Sequence, residues 1–246
     1  MSASNAFVEN PEIPENQILT EPLRRNTATC IAYASYRILN KNPEAKIIVT
    51  PADHLIVQED NFFKTMEIAI AAADIEDRLI TLGIRPNRPE TGYGYIQSNG
   101  DDAVAFHEKP SKEKAQDFLN QGNYLWNSGI FCFQAKTYLE ELNSFRPDIL
   151  EACRQVMNVK NSDFLEATAS AKIPSESIDY AVMEKSDKIK VVKGTFEWSD
   201  LGSYEALFDY FSAKGAYVKD SNLIIAETAH VELHGLENMM VVQSGE

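Results

Sequence analysis

Two aspartates in this chain have the sequence setting of metal-binding carboxylates. Asp53 stands in the tetrapeptide PADH, directly after a β-branched apolar run, and Asp200 stands in the segment EWSDLG, in a predicted tight turn after a strand. Carboxylate oxygens are preferred ligands of Mg²⁺, so the two residues are candidates for one shared site if the fold brings them together. Alternatively, Asp53 belongs to an ordinary turn, because Pro and Asp are favoured turn residues, and the neighbouring His54 has a structural role.

The segment 85–96, RPNRPETGYGYI, is the most unusual stretch of the chain. Gly92 and Gly94 flank Tyr93, and glycine lets backbone N–H groups approach a ligand closely, while tyrosine offers a ring face and a hydroxyl. This pattern favours a ligand-binding loop. A glycine-rich hairpin with packed tyrosines is the alternative.

Two further segments carry polar groups suited to a phosphorylated sugar. Glu108 and Lys109 precede Pro110 at the end of a predicted strand. Glu108 could accept hydrogen bonds from sugar hydroxyls and Lys109 could approach a phosphate, although a solvated charge pair is the alternative. Asn127 lies between apolar residues just before another predicted strand, where a polar side chain needs a partner.

The first half of the chain alternates strand and helix patterns. Strands are predicted over 17–20, 46–50 and 79–84, the last two of them buried, with a helix capped by Asn26 or Thr27 and a second helix over about 62–73 between them. Because a β-α-β-α-β order predicts a parallel sheet, ligands are expected beyond the carboxyl ends of its strands.

The second half of the chain is mixed. Helices are predicted over 112–121, 135–145, 147–157, 178–185 and 203–211, and strands over 104–107, 129–133 and 188–192. From Asn222 onward the pattern changes to the short strands NLIIAE, HVELHG and MMVVQ, without a helix between them. We therefore predict a core over residues 1–215 and the start of a C-terminal β module over 216–246.

Composition excludes several classes of protein. The 246 residues include 23 basic and 37 acidic side chains, a net charge of −14, which argues against nucleic-acid binding. No secretory signal or membrane-length apolar run is present. The three cysteines, without CxxC spacing, fit a reducing compartment. A cytoplasmic enzyme without nucleic-acid or membrane partners is expected.

Taken together, these segments resemble the bacterial mannose-1-phosphate guanylyltransferases, within the sugar-phosphate nucleotidyltransferases. The resemblance rests on segments in the family's order: EPLRRNTA (Glu21–Ala28), PADH, GIRPNRPETGYGYI (Gly83–Ile96), EKP (Glu108–Pro110), YLWNSGIF (Tyr124–Phe131), SIDYAVMEKS (Ser177–Ser186) and WSDLGS (Trp198–Ser203). It implies an α/β fold with a Rossmann-like, mixed and mostly parallel sheet, followed by the start of a C-terminal β module.

The resemblance also implies an activity and a set of roles. The family transfers a guanylyl group from GTP to mannose 1-phosphate, giving GDP-mannose and pyrophosphate, and the partners are then these two substrates. By the matching motifs, Asp53 and Asp200 would be the catalytic residues that bind Mg²⁺. The remaining matches would contact substrate: Asn26 and Thr27 near the nucleotide base, and Gly92, Tyr93, Glu108, Lys109 and Asn127 around mannose 1-phosphate.

The sequence departs from the family in one respect. The family opens with a strand and a Gly-rich, Arg-containing loop that holds the GTP phosphates, whereas the first glycine here is Gly83. We therefore expect an incomplete, inactive enzyme whose sheet has an unpaired edge that could form a homodimer. A glucose 1-phosphate uridylyltransferase and a noncatalytic sugar-phosphate binding protein are the alternatives.

Overall fold

The computed structural model describes residues 13–14, 17–75, 77–157, 167–214, 217–219, 221–226 and 231–243. The described residues within 1–50 and 60–195 form one compact unit, and those within 51–59 and 196–246 form a second. In chain order the elements are α1 (Asn26–Leu39), β1 (Lys46–Val49), β2 (Leu55–Ile56), α2 (Glu59–Ile75), β3 (Leu79–Ile84), β4 (Tyr95–Asn99), β5 (Asp102–His107), α3 (Lys112–Gln121), β6 (Tyr124–Gln134), α4 (Ala135–Phe145), α5 (Pro147–Met157), α6 (Ala167–Ser170), a π-helix (Asp179–Met183), β7 (Ile189–Lys193), β8 (Trp198–Ser199), α7 (Tyr204–Ala213), β9 (Tyr217–Lys219), β10 (Asn222–Ala226) and β11 (Met240–Gln243).

The first unit is built on a six-stranded sheet with the order β1-β6-β3-β7-β5-β4, in which β4 also pairs with β6. β3 and β7 pair in parallel, whereas β6 is antiparallel to β1, β3 and β4. Strands β1, β3, β4 and β7 therefore share one direction and β5 and β6 run the other way. The predicted mixed α/β fold is confirmed, but the expectation of a mostly parallel sheet is wrong, because β3–β7 is the one parallel pair among the described strands of this sheet. The long strand β6 separates β1 from β3, which the β-α-β order did not reveal.

Several predicted elements are different in the structure. The strand predicted over residues 17–20 is absent, because this segment pairs with none of the described strands. Leu19 is partly exposed as a result. α1 begins as predicted, but its N-cap is Arg25, and the Asn26 side chain accepts a hydrogen bond from the Thr27 N–H at 2.8 Å instead of capping the helix. β1 is only half-buried, with Ile48 exposed, because it lies at an edge of the sheet.

The helices of the first unit cover the sheet with apolar faces. α1, α4, α5 and the π-helix bury side chains such as Ile31, Tyr138, Leu142, Ile149 and Val182 in one cluster. β3 is buried along its whole length because β6 and β7 flank it. A rigid central sheet of this kind holds the ends of its strands in fixed positions.

The helix predicted over 178–185 is a single π-helical turn over Asp179–Met183, closed by a bond from the Glu184 N–H to the Asp179 carbonyl at 2.9 Å. β6 begins at Tyr124, earlier than predicted, so Asn127 lies inside a strand and not before one. π-helical turns are uncommon and frequently occur at functional sites.

The second unit contains small sheets. β2 and β8 form a two-stranded antiparallel ribbon, in which Leu55 pairs with Ser199. β9, β10 and β11 form a three-stranded sheet. The strand predicted in HVELHG is wrong for its described residues 231–235, which are irregular. The predicted domain boundary between residues 215 and 216 lies between α7 and β9, inside this unit.

Candidate functional site

The carboxylate of Glu108 lies where β5 ends, close to the backbone of the loop that enters β4. A Cβ atom on Gly94 would be only 2.4 Å from Glu108 Oε2, so this position requires glycine for the carboxylate to lie there. Burial raises the pKa of Glu108, and the nearby charge of Asp179 raises it further, while Lys109 opposes the shift. Glu108 is therefore a shielded hydrogen-bond acceptor.

Asn127 on β6 is fixed by four hydrogen bonds. Its N–H donates to the Gly94 carbonyl at 2.8 Å. Its Oδ1 accepts from the Thr81 hydroxyl at 3.3 Å and from the Gly129 N–H at 3.2 Å. Its Nδ2 donates to Asp179 Oδ1 at 2.7 Å. The side-chain oxygen of Asn127 is thus occupied, and the amide holds Asp179 in place.

Asp179 belongs to the π-helix and brings a second shielded carboxylate next to Asn127. Burial raises the pKa of Asp179, and hydrogen bonds from Asn127, its own backbone and Ser177 oppose that shift. We call Glu108, Asn127 and Asp179 the acceptor cluster. Its members come from β5, β6 and the π-helix and meet at the end of the sheet where β3 terminates, since Gly83 pairs with Asn127.

Sequence reasoning underestimated part of this cluster. Asp179 lies in the segment SIDYAVMEKS, where its position is equally compatible with a helix cap, and Thr81 lies in a run that predicts only a strand. Thr81 is fully buried within the apolar strand β3. A single hydroxyl in such a strand requires a hydrogen-bond partner, and that requirement could have marked it as the group that orients a polar neighbour.

Lys109 follows Glu108 in a left-handed backbone conformation with φ of 46°. Its Nζ lies 3.8 Å from Glu108 Oε1, and its side chain is largely exposed. Non-glycine residues adopt this conformation at an energetic cost, and such strain concentrates at functional sites. The turn keeps both side chains on one side of the strand end, which an extended backbone would not do.

The two other predicted pocket residues occupy the loop between β3 and β4. Tyr93 is buried, with its ring edge-on to Trp126 at 5.1 Å between centroids. The Gly92 N–H donates to Glu90 Oε1 at 3.0 Å. The Tyr93 ring therefore packs against the Trp126 ring, and the Gly92 N–H already has a hydrogen-bond acceptor within the chain. Contact of either residue with a ligand stays a prediction.

Asn26 and Thr27 lie at the start of α1, next to the segment that leads into the π-helix. The Thr27 hydroxyl accepts a hydrogen bond from the Ile178 N–H at 2.9 Å, and the Ala28 N–H donates to the Glu176 carbonyl at 3.2 Å. These bonds join the beginning of α1 to the segment that carries Asp179. Contact of Asn26 and Thr27 with a nucleotide base stays a prediction.

In the second unit, Asp53 and Asp200 lie at the same end of the β2–β8 ribbon. Asp53 is two residues before Leu55 and Asp200 follows Ser199, the strand partner of Leu55. His54 directly follows Asp53, and its Nδ1 accepts a hydrogen bond from Trp198 Nε1 at 3.0 Å. Burial lowers the pKa of His54, and the charges of Asp53 and Asp200 oppose that shift.

The donor set of this ribbon fits Mg²⁺, which is often bound by one or two carboxylates together with substrate phosphates and water. His54 is engaged through Nδ1 and has the structural role considered from the sequence. The described residues contain no group of three or more His, Cys, Asp or Glu side chains arranged to hold a metal ion. The role of Asp53 and Asp200 as metal ligands stays a prediction. No helix in the described part of the chain is long and apolar enough to cross a membrane.

Several known proteins are similar to this chain. A model of the nucleotidyl transferase family matches residues 3–215. A mannose-1-phosphate guanylyltransferase of Klebsiella pneumoniae is 40% identical over 93% of this chain and 53% of its own length. A second enzyme of that name, from Sinorhizobium fredii, is 38% identical over 93% of this chain and 49% of its own length. The chain spans about half the length of the curated relatives it matches.

Two crystal structures are also similar. That of a mannose-1-phosphate geranyltransferase from Thermus thermophilus matches 100% of this chain and 76% of its own, with a TM-score of 0.80 and 29% identity. That of a mannose-6-phosphate isomerase from Helicobacter pylori matches 73% of each chain, with a TM-score of 0.67 and 37% identity.

Proposed function

Because the chain belongs to the nucleotidyl transferase family, we propose that it serves in the transfer of a guanylyl group from GTP to mannose 1-phosphate, which forms GDP-mannose and releases pyrophosphate. The relatives of Klebsiella pneumoniae and Sinorhizobium fredii carry the name of this activity. Their sequence identity to this chain supports the same substrates here.

The acceptor cluster is the observation that carries the proposal. A sugar presents several hydroxyl donors at fixed positions, and carboxylates form the stronger class of hydrogen bond with them. Glu108 and Asp179 supply two shielded carboxylates whose charges act on one another. Asn127 fixes the second of these at 2.7 Å. Such a set of acceptors suits a polyhydroxylated ligand better than a purely anionic one.

The phosphate of the sugar would be met by Lys109, which is exposed beside Glu108. The reaction itself is an in-line displacement, in which a phosphate oxygen of mannose 1-phosphate attacks the α-phosphorus of GTP and pyrophosphate leaves. It requires alignment and charge neutralisation and no protein nucleophile. Glu108 and Asp179 would orient the sugar, and through it the attacking oxygen.

Asp53 and Asp200 are the proposed ligands of Mg²⁺, which would neutralise phosphate charge when bound. His54 would keep its hydrogen bond to Trp198 and thereby hold the ribbon end that carries both carboxylates. Asn26 and Thr27 are proposed to contact the guanine base. The proposal includes a cytoplasmic location, supported by the three cysteines, which are free thiols.

Isothermal titration calorimetry with this chain tests the proposal. We expect saturable binding of mannose 1-phosphate, and weaker binding of glucose 1-phosphate, whose 2-hydroxyl has the opposite configuration. Titration of GTP and UTP, with and without Mg²⁺, tests the nucleotide side. Equal affinity for the two sugar phosphates would contradict the mannose assignment. Sugar-phosphate binding without any nucleotide transfer by the complete protein would favour the noncatalytic alternative.

A further inference from the structure

Glu90, in the loop between β3 and β4, accepts several hydrogen bonds and takes no part in the proposed reaction as described above. Its Oε1 accepts from the N–H groups of Thr91 at 2.9 Å and Gly92 at 3.0 Å. Its Oε2 accepts from Arg88 Nε at 3.2 Å, and Arg88 Nη2 lies 3.1 Å away. Both carboxylate oxygens are therefore engaged within the loop.

The backbone of Glu90 extends the same network. Its carbonyl accepts a hydrogen bond from the Tyr95 hydroxyl at 2.9 Å. Tyr95 is fully buried at the start of β4, so this bond ties the loop to the rigid sheet. The Glu90 side chain is itself only 19% exposed, and shielding from water strengthens such bonds.

Arg88 fixes the other side of the loop. Its guanidinium lies over the Trp126 ring, 5.4 Å from the centroid. Trp126 is buried on β6, next to Asn127, and also packs against Tyr93. The guanidinium of Arg88 is thus paired with the Glu90 carboxylate and stacked on the Trp126 ring.

These contacts determine the positions of the last two residues of the loop, Tyr93 and Gly94. The Tyr93 ring packs edge-on against the Trp126 ring. The backbone of Gly94 passes so close to Glu108 that a Cβ atom on Gly94 would lie 2.4 Å from the Glu108 carboxylate. The Gly94 carbonyl also accepts the N–H of Asn127 at 2.8 Å. A shift of the loop would therefore change the space available to the Glu108 carboxylate and the Gly94 bond to Asn127, and Glu108 and Asn127 are two of the three residues in the acceptor cluster.

We propose that Glu90 is a positioning residue of the sugar pocket. By accepting hydrogen bonds from the Thr91 and Gly92 N–H groups, it sets the path of the loop and so keeps Gly94 against Glu108. This inference deepens the proposed function and rests on it. Glu90 touches no sugar in this assignment and acts only through the loop backbone.

Two substitutions distinguish the hydrogen bonds that Glu90 accepts from backbone N–H groups from those that it accepts from Arg88. Glu90→Ala removes all side-chain acceptors, whereas Glu90→Gln keeps one oxygen that can accept the two backbone N–H groups. Asp148→Ala is the matched control, because Arg146 and Asp148 form the same carboxylate–arginine pair two residues apart, at 2.7 Å, on a different part of the unit. Calorimetric titration of mannose 1-phosphate is performed well below the unfolding temperature of each variant.

We expect Glu90→Ala to weaken mannose 1-phosphate binding about tenfold, as the loss of two backbone hydrogen bonds implies. Glu90→Gln should stay closer to the wild type, and Asp148→Ala should bind like the wild type. Amide hydrogen exchange in Glu90→Ala should accelerate at Thr91 and Gly92 but not in β4. A merely structural role would lower the unfolding temperature without changing the dissociation constant of the folded protein.

Two results would overturn the role of Glu90 while leaving the proposed function intact. One is unchanged sugar affinity in Glu90→Ala beside normal binding by the wild type. The other is equal weakening in Glu90→Gln and Glu90→Ala, which would show that the two N–H groups are not what matters. Failure of the wild type to bind mannose 1-phosphate would refute the proposed function itself.

Discussion

At the scale of single residues, the candidate site concentrates negative charge that the fold shields from water. Burial raises the pKa of both Glu108 and Asp179. The folded protein therefore holds two carboxylates in a setting that favours their protonated forms more than water does. Hydrogen bonds from a bound sugar would compensate for this cost, which gives these acids a reason to lie in the pocket.

The first prediction concerns Glu108→Gln, which keeps the shape of the side chain and removes its charge. Sugar hydroxyls would then donate to a weaker acceptor, and binding should weaken by about 1.5–3 kcal/mol, the range for hydrogen bonds to a charged group. Titration of mannose 1-phosphate measures this loss, and the affinity for GTP should barely change. Glu140→Gln, at an exposed ion pair with Lys136, is the control. Equal weakening for both substrates would remove Glu108 from the sugar pocket.

The second prediction concerns Asp179→Asn and pH. Because the pKa of Asp179 is raised above its ordinary value of 3.8, its ionised form destabilises the fold at any pH above the raised value. That cost disappears as pH falls towards 3.8. Asp179→Asn should therefore be more stable than the wild type near pH 7, and the difference should shrink on acidification, as measured by urea unfolding at several pH values.

Asp148→Asn is the control for the second prediction, because its expected change in stability has the opposite sign. The pKa of Asp148 is lowered by its hydrogen bond with Arg146, so its ionised form stabilises the fold above the ordinary value, and this stability is lost as pH falls through the lowered value. Asp148→Asn should therefore destabilise the protein near pH 7. The same sign of change in both variants would show that burial of Asp179 is not the dominant cause of its shift.

At the scale of elements, the close pairing of β3 with β6 and β7 leaves no room for a side chain at Gly83. A Cβ atom there would lie 2.7 Å from Leu125 Cδ1, 2.9 Å from Leu125 Cβ and 3.0 Å from Val191 Cγ1. The central strands can adopt this spacing only because residue 83 is glycine. The same pairing places Asn127 opposite Gly83 and so positions the acceptor cluster.

The third prediction follows from this packing. Gly83→Ala should lower the free energy of unfolding by about 1–3 kcal/mol, the usual cost of overpacking a core. Gly92→Ala is the control, because its added Cβ would meet only Glu90 Oε1 at 3.4 Å, an ordinary contact. Chemical denaturation of the two variants measures the difference. Equal stability of both would mean that the strands separate without cost.

At the scale of the whole molecule, the described residues form two units, with the acceptor cluster in the first and the Asp53–Asp200 ribbon in the second. The reaction requires a triphosphate aligned with the sugar phosphate. No glycine precedes Gly83 in the sequence, so a Gly-rich loop before Glu21 is not available in these 246 residues to hold the triphosphate. A homodimer through an unpaired edge of the sheet stays a prediction.

The fourth prediction is that this 246-residue chain, assayed alone, releases pyrophosphate from GTP and mannose 1-phosphate at a negligible rate. Alignment of the reacting groups supplies about 7–11 kcal/mol of barrier reduction in well-oriented reactions. A coupled pyrophosphate assay measures the rate, and calorimetry shows in parallel that mannose 1-phosphate still binds. Turnover at an ordinary enzymatic rate would show that the triphosphate is held elsewhere in the chain.

The sequence by itself determined the α/β class, most helix and strand positions and the family. These follow from local patterns: β-branched runs such as that of β1, helical spacing of apolar residues in α1, and motifs such as WNSG around Asn127. The segments GIRPNRPETGYGYI and EKP also lie at strand ends, so a ligand site at one end of the sheet could be predicted without knowing which strands are neighbours.

Only the tertiary structure decided which group each polar atom contacts. β6 lies antiparallel between β1 and β3, and this order brings Asn127 next to Thr81 and Asp179. Likewise, the Gly92 N–H bonds to Glu90 inside its own loop. Local patterns encode which face of an element is buried, whereas hydrogen-bond partners depend on strand neighbours and registers that bring together residues far apart in the chain. For this reason the sequence indicated candidate residues for a pocket but not how their side chains contact one another.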